Sequence, residues 1–227
     1  MTSPTPPAPH RFADLRLRGP SGRVRARLHW PAPADERSRP ALLVFFHCMG
    51  EAHSLGGAAD PLLRGLCSHA GVLVLAPSCQ TTAGDLQLHD AIAVVEWAAD
   101  HAVELGADPA RLLIAGAGAG GDLAAAVALY ARDQGWPVLT CQILINPILD
   151  TVRTGTASGE LAGLAPAIVI TSEPGPPRAA RRFAARLRQA GIETDERHYA
   201  GALVQDDGGT VERMLADLAA SLRDVPG

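Results

Sequence analysis

Five short runs, apolar almost throughout, restrict what this chain can fold into. They are residues 41–46 (ALLVFF), 72–76 (VLVLA), 112–115 (LLIA), 141–145 (CQILI) and 167–171 (AIVIT). Runs of this length without alternation suit strands buried on both faces. Helical periodicity separates them. Residues 85–105 carry Leu88, Ile92, Val95 and Ala99 on one stripe, and 119–132 is Ala-rich and ends near Gly135. Residues 178–190 carry Phe183 and Leu187 before Gly191, and 211–222 carry Val211, Leu215, Leu218 and Leu222 after the candidate cap Thr210. A further helix is expected around Cys67 and His69. Strands alternating with helices imply a mostly parallel sheet covered on both faces.

The N-terminal part differs. Residues 12–18 and 24–30 alternate apolar and polar side chains around Gly19-Pro20-Ser21-Gly22, the pattern of two half-exposed strands joined by a turn. They predict an antiparallel edge to the sheet. Residues 193–199 read as the last strand. Residues 1–10 (MTSPTPPAPH) hold nothing to bury and read as a disordered tail, leaving 11–227 as one domain.

Composition narrows the chemistry. All 20 cations are arginine, because the chain has no lysine. Schiff-base chemistry and a phosphate loop ending in Gly-Lys-Ser/Thr are thereby excluded. Abundant Ala, Gly and Arg suit a GC-rich bacterial genome. The formal charge is -4 and no basic stripe stands out along the sequence, so neither nucleic acid nor membrane is an expected partner. Cys48, Cys67, Cys79 and Cys141 lack paired spacing, no secretory segment opens the chain and no run reaches membrane-spanning length. A cytoplasmic protein with reduced thiols is the expectation.

In such sheets ligands sit beyond the carboxyl ends of the strands. His47-Cys48-Met49-Gly50 follows the first buried strand and Gly116-Ala117-Gly118-Ala119-Gly120-Gly121-Asp122 the third. Ser172-Glu173-Pro174-Gly175 follows the fifth, and residues 199–206 (YAGALVQD) precede the last helix. In this order the four segments resemble the hormone-sensitive-lipase-like α/β-hydrolases, esterases with a His-Gly-Gly-Gly motif. The resemblance spans about 12–222 and is densest over 108–150. It implies the α/β-hydrolase fold, with a cap that is minimal or absent, since only 151–164 occupies the family's insertion site.

The resemblance also implies a serine on a strand-to-helix turn, activated by a histidine that an aspartate holds, with backbone N–H groups as an oxyanion hole. The family's Gly-Asp-Ser-Ala-Gly-Gly falls on 116–121, which puts Gly118 at the nucleophile position. Its Glu-x-Asp-Pro falls on 173–176 and puts Gly175 at the acid; its Gly-Met-x-His falls on 201–204 and puts Val204 at the base. None of the three carries the required atom, and the oxyanion loop reads His-Cys-Met-Gly.

Other readings of the same residues are weaker. G-x-G-x-x-G over 116–121 would suit a dinucleotide, but it lies mid-chain and lacks the acidic residue about 20 positions later, Asp150 being too far on. His47, Cys48, His53 and Cys79 could be zinc ligands, yet H-C-x4-H is not a ligand spacing. Catalysis relocated to Cys48 would need His47 or His53 as base; Ser54 and Ser78 could line the mouth, and Asp206 and Asp207 follow the position 204 that the resemblance gives to the base.

The expectation is therefore a catalytically degenerate hydrolase-fold protein needing no metal or cofactor. It would bind a small apolar or carbonyl-bearing molecule, or a protein partner, at His47, Cys48, Met49, Gly50, Gly118, Ala119 and Val204. The plant gibberellin receptors, which resemble the same family and lack the triad histidine, give that role a precedent. The alternatives are different chemistry in the same pocket (a cyclase, an isomerase or a Cys48 hydrolase) and a scaffold subunit acting through a homodimer or partner contact.

Overall fold

The computed structural model describes residues 11–32, 39–48, 60–78, 84–149, 161–173, 177–201 and 209–223. In chain order the elements are β1 (Arg11–Gly19), β2 (Gly22–Trp30), β3 (Leu42–Cys48), α1 (Asp60–Ala70), β4 (Leu73–Pro77), α2 (Gly84–Asp100) and β5 (Leu112–Gly118). They continue as α3 (Ala119–Gln134), β6 (Cys141–Ile145), β7 (Ala167–Ser172), α4 (Pro177–Gln189), β8 (Thr194–Tyr199) and α5 (Gly209–Arg223). The strands form one sheet in the order β1-β2-β4-β3-β5-β6-β7-β8. β1 with β2 and β2 with β4 are antiparallel, and the remaining pairs are parallel.

The apolar runs form strands because both their faces are covered. Leu42, Val44 and Phe46 of β3 face one core with Leu112, Ile114, Leu144 and Val169, under α2, α3 and α4. Leu43 and Phe45 face the other, with Leu113, Ile143 and Ile170, under α1 and α5. At the α1–α5 contact, a Cβ on Gly65 would come within 2.4 Å of Leu215 Cδ1, so glycine sets how closely the helices approach.

The hairpin shows the other pattern. Residues pair from Arg11↔Trp30 to Gly19↔Gly22, so Leu15, Leu17, Val24, Ala26 and Leu28 share one face and pack with α2. Asp14, Arg16, Arg18, Arg23, Arg25 and Arg27 share the opposite face. Asp90 of α2 holds the turn: Ser21 N–H donates to its Oδ1 at 3.0 Å, and the Ser21 hydroxyl donates to Oδ2.

One expectation is adjusted. The helix expected over 85–105 is regular only through Asp100, because at Ala102 the N–H reaches back to the Ala99 carbonyl, three residues away, at 3.5 Å. Most of 151–164, the segment that the expectation of a minimal or absent cap concerns, lies outside the described residues, as does the whole 1–10 tail. No helix among the described residues is long and apolar enough to cross a membrane.

Candidate active site

The parallel register brings the expected segments to one edge. His47 pairs with Ala117 and Cys48 with Gly118, so the ends of β3 and β5 stand side by side. His47 also bridges to Ser78 just beyond β4. On the far side, Asn146 directly follows β6, and β7 ends at Ser172.

Between these ends the chain turns sharply from β5 into α3. Gly118 forms the turn at φ 57° and ψ −126°, and α3 begins with the next residue. A positive φ of this size is strained for any residue with a Cβ. The turn is tight because its flanking glycines touch. A Cβ on Gly116 would lie 2.0 Å from the Gly120 carbonyl oxygen and 2.7 Å from Gly121 N. A Cβ on Gly121 would press on Gly116 O and on Pro147 at 3.2 Å. Backbone contact requires Gly116 and favours Gly121, and positive φ favours Gly118, so the G-x-G-x-x-G pattern follows from the turn. Around Gly118 the reverse holds: a Cβ there would meet nothing within 4 Å among the described residues. Among the described residues nothing stands where a side chain at 118 would begin, and glycine supplies none.

Exposed Ala119 opens α3. Its N–H is among the first four of the helix, which have no intrahelical acceptor and sit at the positive end of the helix dipole. It is the donor the resemblance assigns to an oxyanion. His47 is half-buried and stacked on Phe45, with ring centroids 6.5 Å apart. Burial lowers its pKa from 6.5, so the imidazole is neutral at pH 7.

Three polar residues act here that the sequence did not single out as site residues. Asn146, itself at φ 45°, donates from Nδ2 to Ser172 Oγ at 2.7 Å, and Ser172 N–H donates to Asn146 Oδ1 at 2.7 Å. This reciprocal pair ties the ends of β6 and β7. Buried Asp122, in the first turn of α3, accepts from Ile148 N at 2.8 Å and Leu149 N at 2.9 Å, anchoring the segment after β6 to the elbow helix. A carboxylate there also offsets the N-terminal dipole. The available signal was the Asn-Pro dipeptide directly after a buried strand, since asparagine tolerates positive φ. The edge of this sheet is therefore more polar than replacement of a triad by Gly, Gly and Val suggested.

The remaining expected residues divide as follows. Met49, Gly50, Gly175 and Val204 lie outside the described residues, as do His53, Ser54, Cys79, Asp206 and Asp207; for Cys48 the backbone alone is described. Cys67 and Cys141 are buried in α1 and β6, and burial pushes both thiols up to about 12, so neither supplies a thiolate.

A family model for the alpha/beta hydrolase fold matches residues 43–160. The chain is 32% identical over 143 residues to the esterase LipI of Mycobacterium tuberculosis, a match covering 60% of this chain and 44% of that protein. It is 36% identical over 132 residues to the carboxylesterase NlhH of the same organism, covering 55% and 39%. These matches span less than half the length of either relative. Among solved structures, the thermostable carboxylesterase EstE1, cloned from a metagenomic library, superposes with a TM-score of 0.80 at 25% identity, covering 98% of this chain and 91% of that one. The hyperthermophilic esterase of the archaeon Pyrobaculum calidifontis gives 0.80 at 25%, covering 97% and 88%.

Proposed function

The chain belongs to the α/β-hydrolase family, in its hormone-sensitive-lipase-like esterase branch, and from that premise we propose that it is a non-hydrolytic member. In this reading it holds a small apolar or carbonyl-bearing molecule where its relatives cleave esters. The observation that supports it is Gly118. The elbow turn is intact and no described residue crowds its apex, yet the residue there has no atom that could attack a carbonyl. Removing the nucleophile alone ends covalent turnover through this turn, and the assignments of Gly175 and Val204 from the resemblance remove acid and base as well.

What remains suits binding. The Ala119 N–H at the start of α3 can donate to a carbonyl or carboxylate oxygen without doing chemistry on it. Neutral His47 and the Asn146–Ser172 pair add hydrogen-bonding capacity at the same edge. A few donors at one edge can orient an apolar ligand by a single oxygen.

A thermal-shift screen of medium-chain carboxylic acids, esters and lactones tests this. At least one should raise the melting temperature of the parent in a concentration-dependent way. Gly118→Leu, compared with its own ligand-free baseline because the turn strains leucine, should lose that response. No shift in the parent, or an equal shift in Gly118→Leu, would move the function away from this site.

A further inference from the structure

The face of the β1–β2 hairpin turned away from α2 carries arginines directly opposite one another. Arg16 pairs across the strands with Arg25, and Arg18 with Arg23. All four are exposed. Directly opposed like charges destabilise a strand pair, so this arrangement is costly for the isolated chain. Among the described residues no carboxylate forms a contact ion pair with any of the four; the one acid on that face, Asp14, is bound to Arg27 at 2.7 Å and feels Arg25 only through its charge. The segment Arg11–Trp30 holds six of the chain's arginines and one of its carboxylates, giving it a formal +5 while the rest of the chain carries -9.

A second observation concerns backbone. β1 is a terminal strand of the sheet, nine residues long, in unbroken register with β2 and without proline or bulge. Among the described residues no strand pairs with its outer edge. A regular edge presents a row of unpaired N–H and C=O groups to any strand that can approach.

We propose that the outer edge of β1 binds an extended acidic segment of a partner protein as an added strand. Carboxylates at every second residue of that segment would meet Arg16 and Arg18, with Arg25 and Arg23 in a second row about 4.8 Å further in. The same charges exclude a second copy of β1, which would set arginine against arginine. They do not select single-stranded nucleic acid, which needs aromatic faces for its bases. The exposed aromatic on this face, Phe12, is already covered by the Arg27 guanidinium at 4.6 Å.

The test uses the purified full chain and fluorescent decapeptides. One alternates Glu and Val; another has the same composition with Glu and Val in separate blocks. The alternating peptide should bind about tenfold or more tightly than the blocked one, weaken as salt rises, and lose binding when alternate backbone amides are N-methylated. The double variant Arg16→Glu, Arg18→Glu should lose it and gain affinity for an alternating Arg-Val peptide. A single-stranded oligonucleotide of equal charge should bind more weakly. Absence of binding at low salt, equal binding of the two acidic peptides, or tighter binding of the oligonucleotide would each overturn the proposal, and none depends on a variant folding.

Discussion

The elbow between β5 and α3 and the β1–β2 hairpin treat charge and geometry in opposite ways. At the elbow the backbone is held to the family's turn by glycines in contact, and the helix start and Asp122 brace it from below. In the proposed reading, the position that carries the reacting atom in the family is glycine here. At the hairpin the backbone is an ordinary two-stranded ladder, while the side chains carry more like charge than the ladder favours. On the proposed reading, one region keeps its shape without its chemistry; the other carries charge its shape does not need. The lesson is that a retained turn is evidence about packing, and function has to be argued from the atoms placed on it.

The sharpest way to break this comparison lies within the elbow itself. Gly116→Ala should destabilise the fold by about 3 kcal/mol or more, because its Cβ would meet immovable backbone. Gly118→Ala, two residues on, should cost only about 1 kcal/mol, the strain of a Cβ at positive φ. Chemical denaturation of the two variants decides it. Similar losses would mean that glycine at 118 is kept by packing after all.

A smaller effect is expected at the hairpin. Arg25→Glu converts the pair with Arg16 from repulsive to attractive and should raise stability by about 0.5–1 kcal/mol at low ionic strength. The gain should shrink in high salt, where exposed charges are screened. A stability unchanged by the substitution at low salt would show that the opposed arginines do not feel one another.

The smallest effect concerns His47. Its folded pKa lies below the value of 6.5 it takes when unfolded, so the unfolded state binds the proton more readily. Its contribution is fully present above the unfolded value and is lost as pH falls through the folded one. Stability measured from pH 7 downward should fall, and His47→Gln should flatten part of that slope. An unchanged slope would place His47 in a fully solvated setting.

Much of the architecture could be read from the residues, because the five apolar runs and the alternating hairpin are local patterns. The elbow was legible for the same reason, since strand, glycines and helix adjoin in sequence. The features missed are non-local. Asn146 and Ser172 are 26 positions apart and meet only when β6 and β7 pair. The arginine face escaped notice because its members alternate with apolar residues on two strands; pairing the strands doubles their density on one side. The length of α2 was overestimated because periodicity continues past Asp100 while the hydrogen-bond pattern changes. Position 118 remained the most informative residue at both levels.

The central claim is that this elbow cannot form a covalent intermediate. Hydrolysis of p-nitrophenyl butyrate by the purified full chain, against an inert protein of equal concentration, tests it most directly. The parent should not exceed the control, and Gly118→Ser alone should not either, for want of a positioned base worth about 10²–10⁴-fold. Combining Gly118→Ser, Gly175→Asp and Val204→His should give measurable turnover. Saturable hydrolysis by the parent would contradict the account, and its loss in Cys48→Ala would locate the nucleophile that the account denies.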